Sequence, residues 1–355
     1  MSIERLVELS RYYGAIPGYV LGGGGNTSYK NADALWIKAS GQTLSTITAE
    51  GFVVLDRNKV RRIMARTYPD TAAEREAQIL ADLMDSRLFA QGRPSVETFL
   101  HELMEFPYVV HTHPTAVNAL TCAVEGREVL AERFPDAVWV EYVDPGYLLA
   151  AKVSRLIEEY KTVRGAPPRV LFLENHGLVA AGESPEDLAA LHRELLAALP
   201  LLPPEAKAIS RADTRPFEQA VTEALPDSRP LSFIWTGLPD ASSLLTSAFT
   251  PDHIVYMGVR PLFPRSPADL RAEAAQYRAE FGREPRVAAL PGVGVAGFAP
   301  SRVGAELALA LFEDAAAIAR GAMRFGGPRF LSNSSITFIL NWEAERFRSR
   351  TSGAG

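Results

Sequence analysis

Helical and strand-like segments alternate through the first 200 residues of the chain. Short apolar runs bounded by turn residues predict strands at 35–38, 52–55, 108–111, 138–142 and 170–173. Helical patterns accompany them, at 3–13, 74–84 and 95–105. Helices interleaved with five strands predict a layered α/β architecture.

A proline-rich stretch divides the chain near residue 200. Just before it, Ser184-Pro185-Glu186 begins a strong helix, with an N-cap serine, a proline at the first helical position and an acid in the first turn. We expect a first α/β domain at 1–200 and a connector at 201–230 that carries a short helix. A smaller α/β domain is expected at 231–348.

Composition excludes several classes of protein. The formal net charge of −5 and a pI near 5.8 give no reason to expect binding to nucleic acid or to an anionic membrane. One cysteine cannot form an internal disulfide, and the N-terminal residues lack the apolar run of a signal peptide. We therefore expect a cytoplasmic enzyme that acts on a small molecule.

Three of the six histidines follow predicted strands. His111 and His113 are two residues apart at the end of the 108–111 strand, so their imidazoles point to the same side. His176 follows the 170–173 strand. Three imidazoles with an open coordination position are typical of catalytic zinc, although an isolated His-x-His is also compatible with chance or with buried, hydrogen-bonded histidine.

Glu97 lies near the start of the predicted 95–105 helix, beside its buried apolar stripe. A carboxylate beside a metal pocket is a natural general base. The alternative is structural, because the helix dipole favours an acid in the first turn whatever its role. His101, four residues further on, is within reach of Glu97, and we interpret it as structural.

Two small, polar turns are further candidates. The run 22–28 carries four consecutive glycines, whose backbone N–H groups can approach an anion. The segment Lys38-Ala39-Ser40-Gly41 supplies a second turn with a hydroxyl after a strand. Together with Ser95, these turns predict a cradle for a phosphate or carboxylate, and a plain glycine-rich hairpin is the alternative.

In this order, the motifs resemble those of the class II aldolase/adducin family. The matching stretches are Gly24-Gly25-Asn26-Thr27-Ser28, Lys38-Ala39-Ser40-Gly41, Pro94-Ser95-Val96-Glu97, His111-Thr112-His113-Pro114 and Asn175-His176-Gly177. The resemblance implies an α/β/α layered fold and a divalent metal site occupied by Zn²⁺. It also implies a homo-oligomer, usually a fourfold tetramer with active sites between subunits.

The resemblance assigns roles by position. It implies metal ligands at His111, His113 and His176, and an acid/base that also touches the metal at Glu97. The positions that would bind the substrate, mainly at its phosphate end, are Gly25, Asn26, Ser40, Gly41 and Ser95. Tyr142 would be a proton donor supplied by a neighbouring subunit, and a buried strand tyrosine is the alternative.

Val96 departs from the family's pattern, since phosphate-binding members often carry a second serine there. Its loss weakens the case for a phosphorylated substrate. The single serine resembles the aldolase portion of rhamnulose-phosphate aldolase/dehydrogenase fusions, and so does the segment Asn341-Trp342-Glu343-Ala344-Glu345. We therefore expect this chain to correspond to the aldolase portion of such a fusion alone.

The activity implied is a class II, zinc-dependent aldolase that cleaves a ketose by retro-aldol chemistry. Zinc would stabilise the enediolate left by C–C scission, with Glu97 moving the proton on carbon and Tyr142 serving the aldehyde oxygen. A sugar-phosphate 4-epimerase, a dehydratase or a decarboxylase on the same site stays open. So does a non-catalytic, adducin-like scaffold, although a scaffold has no need of four inward polar groups.

The second domain is predicted to be a shortened copy of the first without its metal ligands. Small residues and prolines match in order along the two halves. The alignment places the three histidines on Thr236, Leu238 and Pro291. It predicts strands at 231–235, 253–257 and 287–290 in one sheet.

A G-x-G-x-x-G run begins at Gly292 and matches the dinucleotide-binding fingerprint locally. Only one strand-like segment, 336–340, follows it, and the acidic residue expected after the next strand is missing. We interpret these glycines as turn positions inherited from the first domain.

Overall fold

The computed structural model describes residues 3–199, 202, 207–208, 213–225, 231–290, 292–344 and 347. The chain divides into two compact units. The first comprises Met1–Thr121 and Arg127–Pro200, and the second comprises Cys122–Gly126 and Leu201–Gly355. Among the described residues, no helix combines the length and the apolarity needed to cross a membrane.

A seven-stranded sheet forms the centre of the first unit, in the order β3-β2-β1-β4-β7-β6-β5. The strands are β1 (Asn26–Lys30), β2 (Ala34–Lys38), β3 (Phe52–Asp56), β4 (Tyr108–Thr112), β5 (Val138–Val140), β6 (Val170–Leu173) and β7 (Gly177–Gly182). All neighbours are antiparallel except β5 and β6, which are parallel.

Within the described part of the first unit, eight α-helices accompany this sheet. They are α1 (Ile3–Ala15), α2 (Arg57–Met64), α3 (Ala72–Asp85), α4 (Thr98–Leu103), α5 (Thr115–Thr121), α6 (Gly126–Arg133), α7 (Tyr147–Arg164) and α8 (Pro185–Ala198). Because side chains alternate along a strand, Val109 packs in a core with α4 and α7, whereas Val110 packs in another with α1 and α8. The sheet is thus covered on both faces, as an α/β layered fold requires.

Two elements are shorter than predicted. The helix expected at 95–105 begins only at Thr98, because Ser95 Oγ accepts a hydrogen bond from the Glu97 N–H in a turn before the helix. The strand expected at 138–142 ends at Val140.

The second unit contains a three-stranded antiparallel sheet in the order β11-β12-β9. Its strands and helices are β8 (Lys207–Ala208), α9 (Arg215–Ala224), β9 (Ser232–Thr236), β10 (Leu238–Pro239), α10 (Leu270–Phe281), β11 (Val287–Leu290), β12 (Gly294–Ala299), α11 (Arg302–Ala322) and α12 (Asn333–Asn341). Phe217 and Val221 of α9 belong to the core of this unit. Part of the expected connector is therefore core.

The second sheet repeats the strand order of the first. Strands β9, β12 and β11 pair as β4, β7 and β6 do, with the same antiparallel directions. Leu262 makes a parallel bridge to Ala288 of β11, where β5 of the first unit runs parallel to β6. Ser301 caps the helix after the hairpin just as Ser184 does in the first unit. The predicted copy requires this strand order, and the duplication itself stays a prediction.

The details of the predicted copy need correction. Segment 253–257 is a π-helix rather than a strand, and the Leu262 bridge occupies the place of the fourth strand. When the strand pairings are matched, His111 corresponds to Trp235 and His113 to Gly237, one residue before the predicted partners. Pro291, the predicted partner of His176, lies outside the described residues.

The G-x-G-x-x-G run lies in the antiparallel hairpin of β11 and β12, not at the strand-to-helix turn of a parallel unit. A Cβ on Gly297 would lie 2.5 Å from the Ala305 carbonyl oxygen of α11. Packing between strand and helix therefore accounts for this glycine. The strand-like segment 336–340 is part of α12, so that prediction was wrong.

Candidate metal centre

The end of β4 and the turn between β6 and β7 bring the three predicted histidines together. Potential ligand atoms of His111, His113 and His176 all lie within 4.8 Å of one another. The Nε2 atoms of His111 and His113 are 3.0 Å apart. Tetrahedral zinc with bonds of about 2.0–2.1 Å separates its ligand nitrogens by roughly 3.3 Å, so the spacing fits a single ion.

The tautomer of His111 is set by its strand neighbour. Its Nδ1 lies 2.9 Å from the Leu178 carbonyl oxygen, which only accepts, so Nδ1 carries the proton. The lone pair is therefore on Nε2, the atom that faces the other histidines. A backbone carbonyl that orients an imidazole in this way is the usual support of a metal ligand.

The turn that carries His176 needs both of its neighbours. Asn175 takes the left-handed conformation, with φ of +52°, and donates its N–H to the Thr121 carbonyl. A Cβ on Gly177 would lie 2.5 Å from the Thr112 carbonyl oxygen and 2.7 Å from His113 Cδ2. Only glycine allows β7 to pass this close to β4, and this brings His176 beside His113.

Glu97 contacts the same cluster. Its Oε1 lies 3.3 Å from His111 Nε2 and 3.2 Å from His176 Nε2. Burial pushes the pKa of Glu97 upwards, but the two imidazoles more than offset this and hold the pKa well below its usual range. Burial likewise lowers the pKa of His176 to about 4, against the opposing effect of Glu97. A divalent cation bound among these nitrogens would require the imidazoles to be neutral and the Glu97 carboxylate to be ionised.

A chain of buried hydrogen bonds behind Glu97 was not predicted. Asn26 Nδ2 donates to Glu97 Oε2 at 2.5 Å, since a carboxylate only accepts. Asn26 Oδ1 then accepts from His101 Nε2, which leaves His101 Nδ1 to accept from the Ser28 hydroxyl at 2.6 Å. Burial, together with His111, holds the pKa of His101 well below its usual range, consistent with a neutral ring.

His101 therefore pairs with Asn26 and Ser28 instead of the Glu97 carboxylate. The signal available in the sequence was the alternation of Asn26, Ser28 and Lys30, which share one face of β1. The sequence does not show that α4 lies over this face of β1, so the partner of these side chains could not be predicted from the alternation alone.

The two predicted turns are joined by Lys38, which is 3% exposed. Its Nζ donates to the Gly23 carbonyl at 3.2 Å and to the Gln42 carbonyl at 2.8 Å. The N–H of Ser40 donates to the Arg93 carbonyl, two residues before Ser95. The predicted cradle segments are thus connected, and a buried ammonium lies behind them.

Glycine is required in both turns of the cradle. Gly41 has φ of +84° and Gly25 has φ of +63°, a region that favours glycine. A Cβ on Gly25 would also lie 2.8 Å from the His111 carbonyl oxygen. The glycine-rich turn therefore runs directly past the strand that carries two of the histidines.

Tyr142 is not among the residues that converge on the cluster. It follows β5 at the edge of the sheet, and β6 and β7 lie between β5 and β4. Its N–H donates to Glu174 Oε2 at 3.4 Å. The Tyr142 hydroxyl donates to Asp144 Oδ1 at 3.3 Å. It is neither part of a strand nor fully buried, so the alternative of a buried strand tyrosine was wrong.

Comparison with known proteins points to one family. The family model described as Class II Aldolase and Adducin N-terminal domain matches residues 4–199, more than half of the chain. A curated protein of Bacillus subtilis (strain 168), described as the uncharacterized oxidoreductase YuxG, is 26% identical over 410 residues. The match covers 98% of this chain and 58% of that protein, so the chain spans little more than half of its relative's length.

Solved structures give similar matches. An N-terminal class II aldolase domain from Thermoplasma acidophilum is 27% identical, with a TM-score of 0.47, over 56% of this chain and 92% of that one. The protein YgbL from Escherichia coli, described as a putative aldolase/epimerase/decarboxylase, is 20% identical, with a TM-score of 0.40. The match covers 55% of this chain and 85% of that one.

Proposed function

Because the chain belongs to the class II aldolase and adducin family, we propose that it is a metal-dependent lyase that cleaves a ketose, in particular a phosphorylated one, by retro-aldol chemistry. One observation carries the proposal: three imidazoles and one carboxylate converge in the first unit. Glu97 Oε1 lies 3.3 and 3.2 Å from the Nε2 atoms of His111 and His176, and His113 Nε2 lies 3.0 Å from that of His111.

Three residues of the chain would hold the cation: His111, His113 and His176. Imidazole ligands in this number favour zinc among the common divalent metals. When bound, the cation supplies the positive charge that stabilises the negative charge left on the substrate's oxygens when the C–C bond breaks.

Glu97 is the proposed acid/base. Its ionised carboxylate can take a proton from the carbon next to the substrate's carbonyl and return it there. Asn26 holds one carboxylate oxygen at 2.5 Å, so the other stays directed at the histidines. The base is therefore oriented before substrate binds, which lowers the cost of reaching the reactive geometry.

The anionic end of the substrate would lie in the cradle. The residues proposed to contact it are Gly25, Asn26, Ser40, Gly41 and Ser95. Asn26 Nδ2 has a second N–H besides the one that meets Glu97, which allows it to serve both groups. Lys38 adds positive charge behind the cradle, which favours a phosphate or a carboxylate.

A homo-oligomer, with a tetramer favoured, would complete the site. Tyr142 lies at the far edge of its own sheet, so we propose that it serves the site of a neighbouring subunit. There it would take the proton from the substrate's hydroxyl as the aldehyde forms, and in the reverse, condensation direction it would give that proton back to the aldehyde oxygen.

A screen for aldehyde release tests the proposal. The purified, zinc-loaded protein is incubated with ketose 1-phosphates, rhamnulose 1-phosphate among them, and with ketonic acids, and aldehyde is trapped with a coupled dehydrogenase. We expect release from at least one phosphorylated ketose and none with Glu97→Gln. Epimer formation without aldehyde release would instead identify a 4-epimerase.

A further inference from the structure

A cavity of about 970 Å³ opens in the first unit, away from the histidine cluster. Residues from β1, α2, α4 and α7 line it. Lys30, the last residue of β1, is in its wall, whereas Asn26, the first residue of β1, contacts Glu97. Four residues of strand separate these positions by roughly 13 Å. The cavity is therefore distinct from the proposed active site.

Positive charge exceeds negative charge on the inner wall. Arg57 donates to both oxygens of Glu102, at 2.8 and 2.9 Å, and Arg61 Nε donates to one of them at 2.8 Å. The Glu102 side chain is 4% exposed. The Arg61 side chain is 51% exposed, so the buried part of the wall holds Lys30 and Arg57 against the single carboxylate of Glu102.

Two further carboxylates line the cavity, but they do not change this balance. The side chains of Glu105 and Glu158 are 46% and 69% exposed, and both pair with Lys161, at 2.6 and 3.2 Å. They are solvated, and the charge of Lys161 offsets one of the two. The inner wall keeps its excess of positive charge.

Among these groups, Lys30 has the largest unmet need for hydrogen-bond acceptors. It is 4% exposed, and within the described residues its Nζ donates to one partner, the His101 carbonyl. An ammonium has three donors, and leaving them unmet in a buried place is costly. Burial lowers the pKa of Lys30 to about 7, even though Glu102 opposes the shift. An anion beside it would supply the missing acceptors and charge.

We propose that this cavity is a second ligand site, which binds a small organic anion. Its phosphate or carboxylate would meet Lys30 and Arg61, and its apolar part would lie against Leu103, Phe106 and Tyr147. The volume is within the range of small-molecule pockets. The proposal is independent of the aldolase assignment, since it uses none of the residues of the metal centre.

Phenyl phosphate is a suitable probe, because it joins a phosphate to a flat apolar ring. Its binding to the zinc-loaded protein is measured by isothermal titration calorimetry, with phenol as the uncharged comparison. We expect phenyl phosphate to bind and phenol to give no measurable heat. Absence of phenyl phosphate binding would overturn the proposal.

Matched variants locate the binding. Arg61→Gln should weaken it on the order of tenfold, the usual effect of losing a hydrogen bond from a charged group. Arg62→Gln should change it less than twofold, because Arg62 neighbours Arg61 on α2 but does not line the cavity. If Ser40→Val weakens binding and Arg61→Gln does not, the phosphate binds in the proposed cradle and the second site is refuted.

Lys30→Met separates a ligand role from a structural one. Replacing a buried, under-bonded ammonium with an apolar chain of similar length should leave the melting temperature unchanged or raise it, while phenyl phosphate binding is lost. A lower melting temperature with unchanged binding would show that Lys30 serves the fold, and would contradict the proposal.

Discussion

Asn26 and His111 lie directly opposite each other on the antiparallel strands β1 and β4. This pairing puts the Asn26 amide on the face of the sheet that carries the His111 imidazole. From there Asn26 reaches Glu97, which precedes α4. Strand register, rather than a loop, thus orients the proposed base, and a slip of one residue would turn Asn26 to the opposite face.

Asn26→Leu should destabilise the protein. The change leaves Glu97 without a donor and His101 without an acceptor, both buried, and each unsatisfied group costs about 1–3 kcal/mol. Urea denaturation measures the free energy of unfolding. Asn58→Leu, at an exposed position of α2, is the control and should change that energy little. Equal losses in the two variants would show that the buried chain of hydrogen bonds contributes nothing.

Glu97→Gln should abolish proton exchange at the carbon next to the substrate's carbonyl. The variant keeps the shape of the side chain but cannot act as a base, so the exchange rate should fall by ~10²–10⁴. Three imidazoles remain, so most of the metal should stay bound. Deuterium incorporation from heavy water, followed by NMR, and metal analysis of the same sample give both readings. Undiminished exchange would place the base elsewhere.

His192 should make stability depend on pH. It is buried against Tyr13, outside the metal centre, and burial lowers its pKa to about 4. The unfolded chain, with a histidine pKa near 6.5, takes up a proton that the folded chain refuses between pH 6.5 and 4. Stability is therefore complete above this range and falls as the pH drops through it, by up to about 3 kcal/mol.

His192→Gln removes the titrating group and should flatten this part of the profile. The measurement compares urea midpoints of wild type and variant between pH 4 and pH 7.5. Parallel profiles would mean that His192 is not the group responsible.

Gly177→Ala should reduce both stability and metal content, because the added Cβ would overlap the Thr112 carbonyl and the His113 ring. The control is Gly294→Ala, at the start of β12, where a Cβ would lie 2.6 Å from the Thr236 carbonyl oxygen. It should destabilise the protein without lowering zinc content, since no metal site is expected there. Full zinc content in Gly177→Ala would contradict the geometry of the turn.

The parts of the site that were predicted depend on local rules. Side-chain alternation placed His111 and His113 on one side of a strand, and the end of the 170–173 strand located His176. These inferences need only a few neighbouring residues. The layered fold likewise follows from alternating elements within the first 200 residues.

What was missed depends on contacts between distant segments. The bond from His101 to Asn26 joins residues 75 positions apart, and it forms only when α4 packs on β1. Lys38 joins two turns that the sequence presents as separate. Hydrogen bonds between such distant residues are set by tertiary structure, and the periodicity of apolar residues in the sequence does not predict them.

The wrong predictions are short apolar runs. Segments 253–257 and 336–340 are rich in apolar and β-branched residues, a pattern that fits a strand and a buried helix equally well. Local capping decided both cases. Thr250 and Ser332 accept hydrogen bonds from backbone N–H groups three residues on and favour helical turns.

Zinc binding to the metal-free protein tests the central claim most directly. After chelation and dialysis, zinc is titrated into wild type and His113→Ala, and bound metal is measured together with aldehyde release. We expect wild type to take up one zinc per chain at high affinity and to regain activity in proportion. His113→Ala, which removes a half-buried ligand and leaves the strand intact, should bind zinc far more weakly and stay inactive. Full zinc content and activity in His113→Ala would contradict the account.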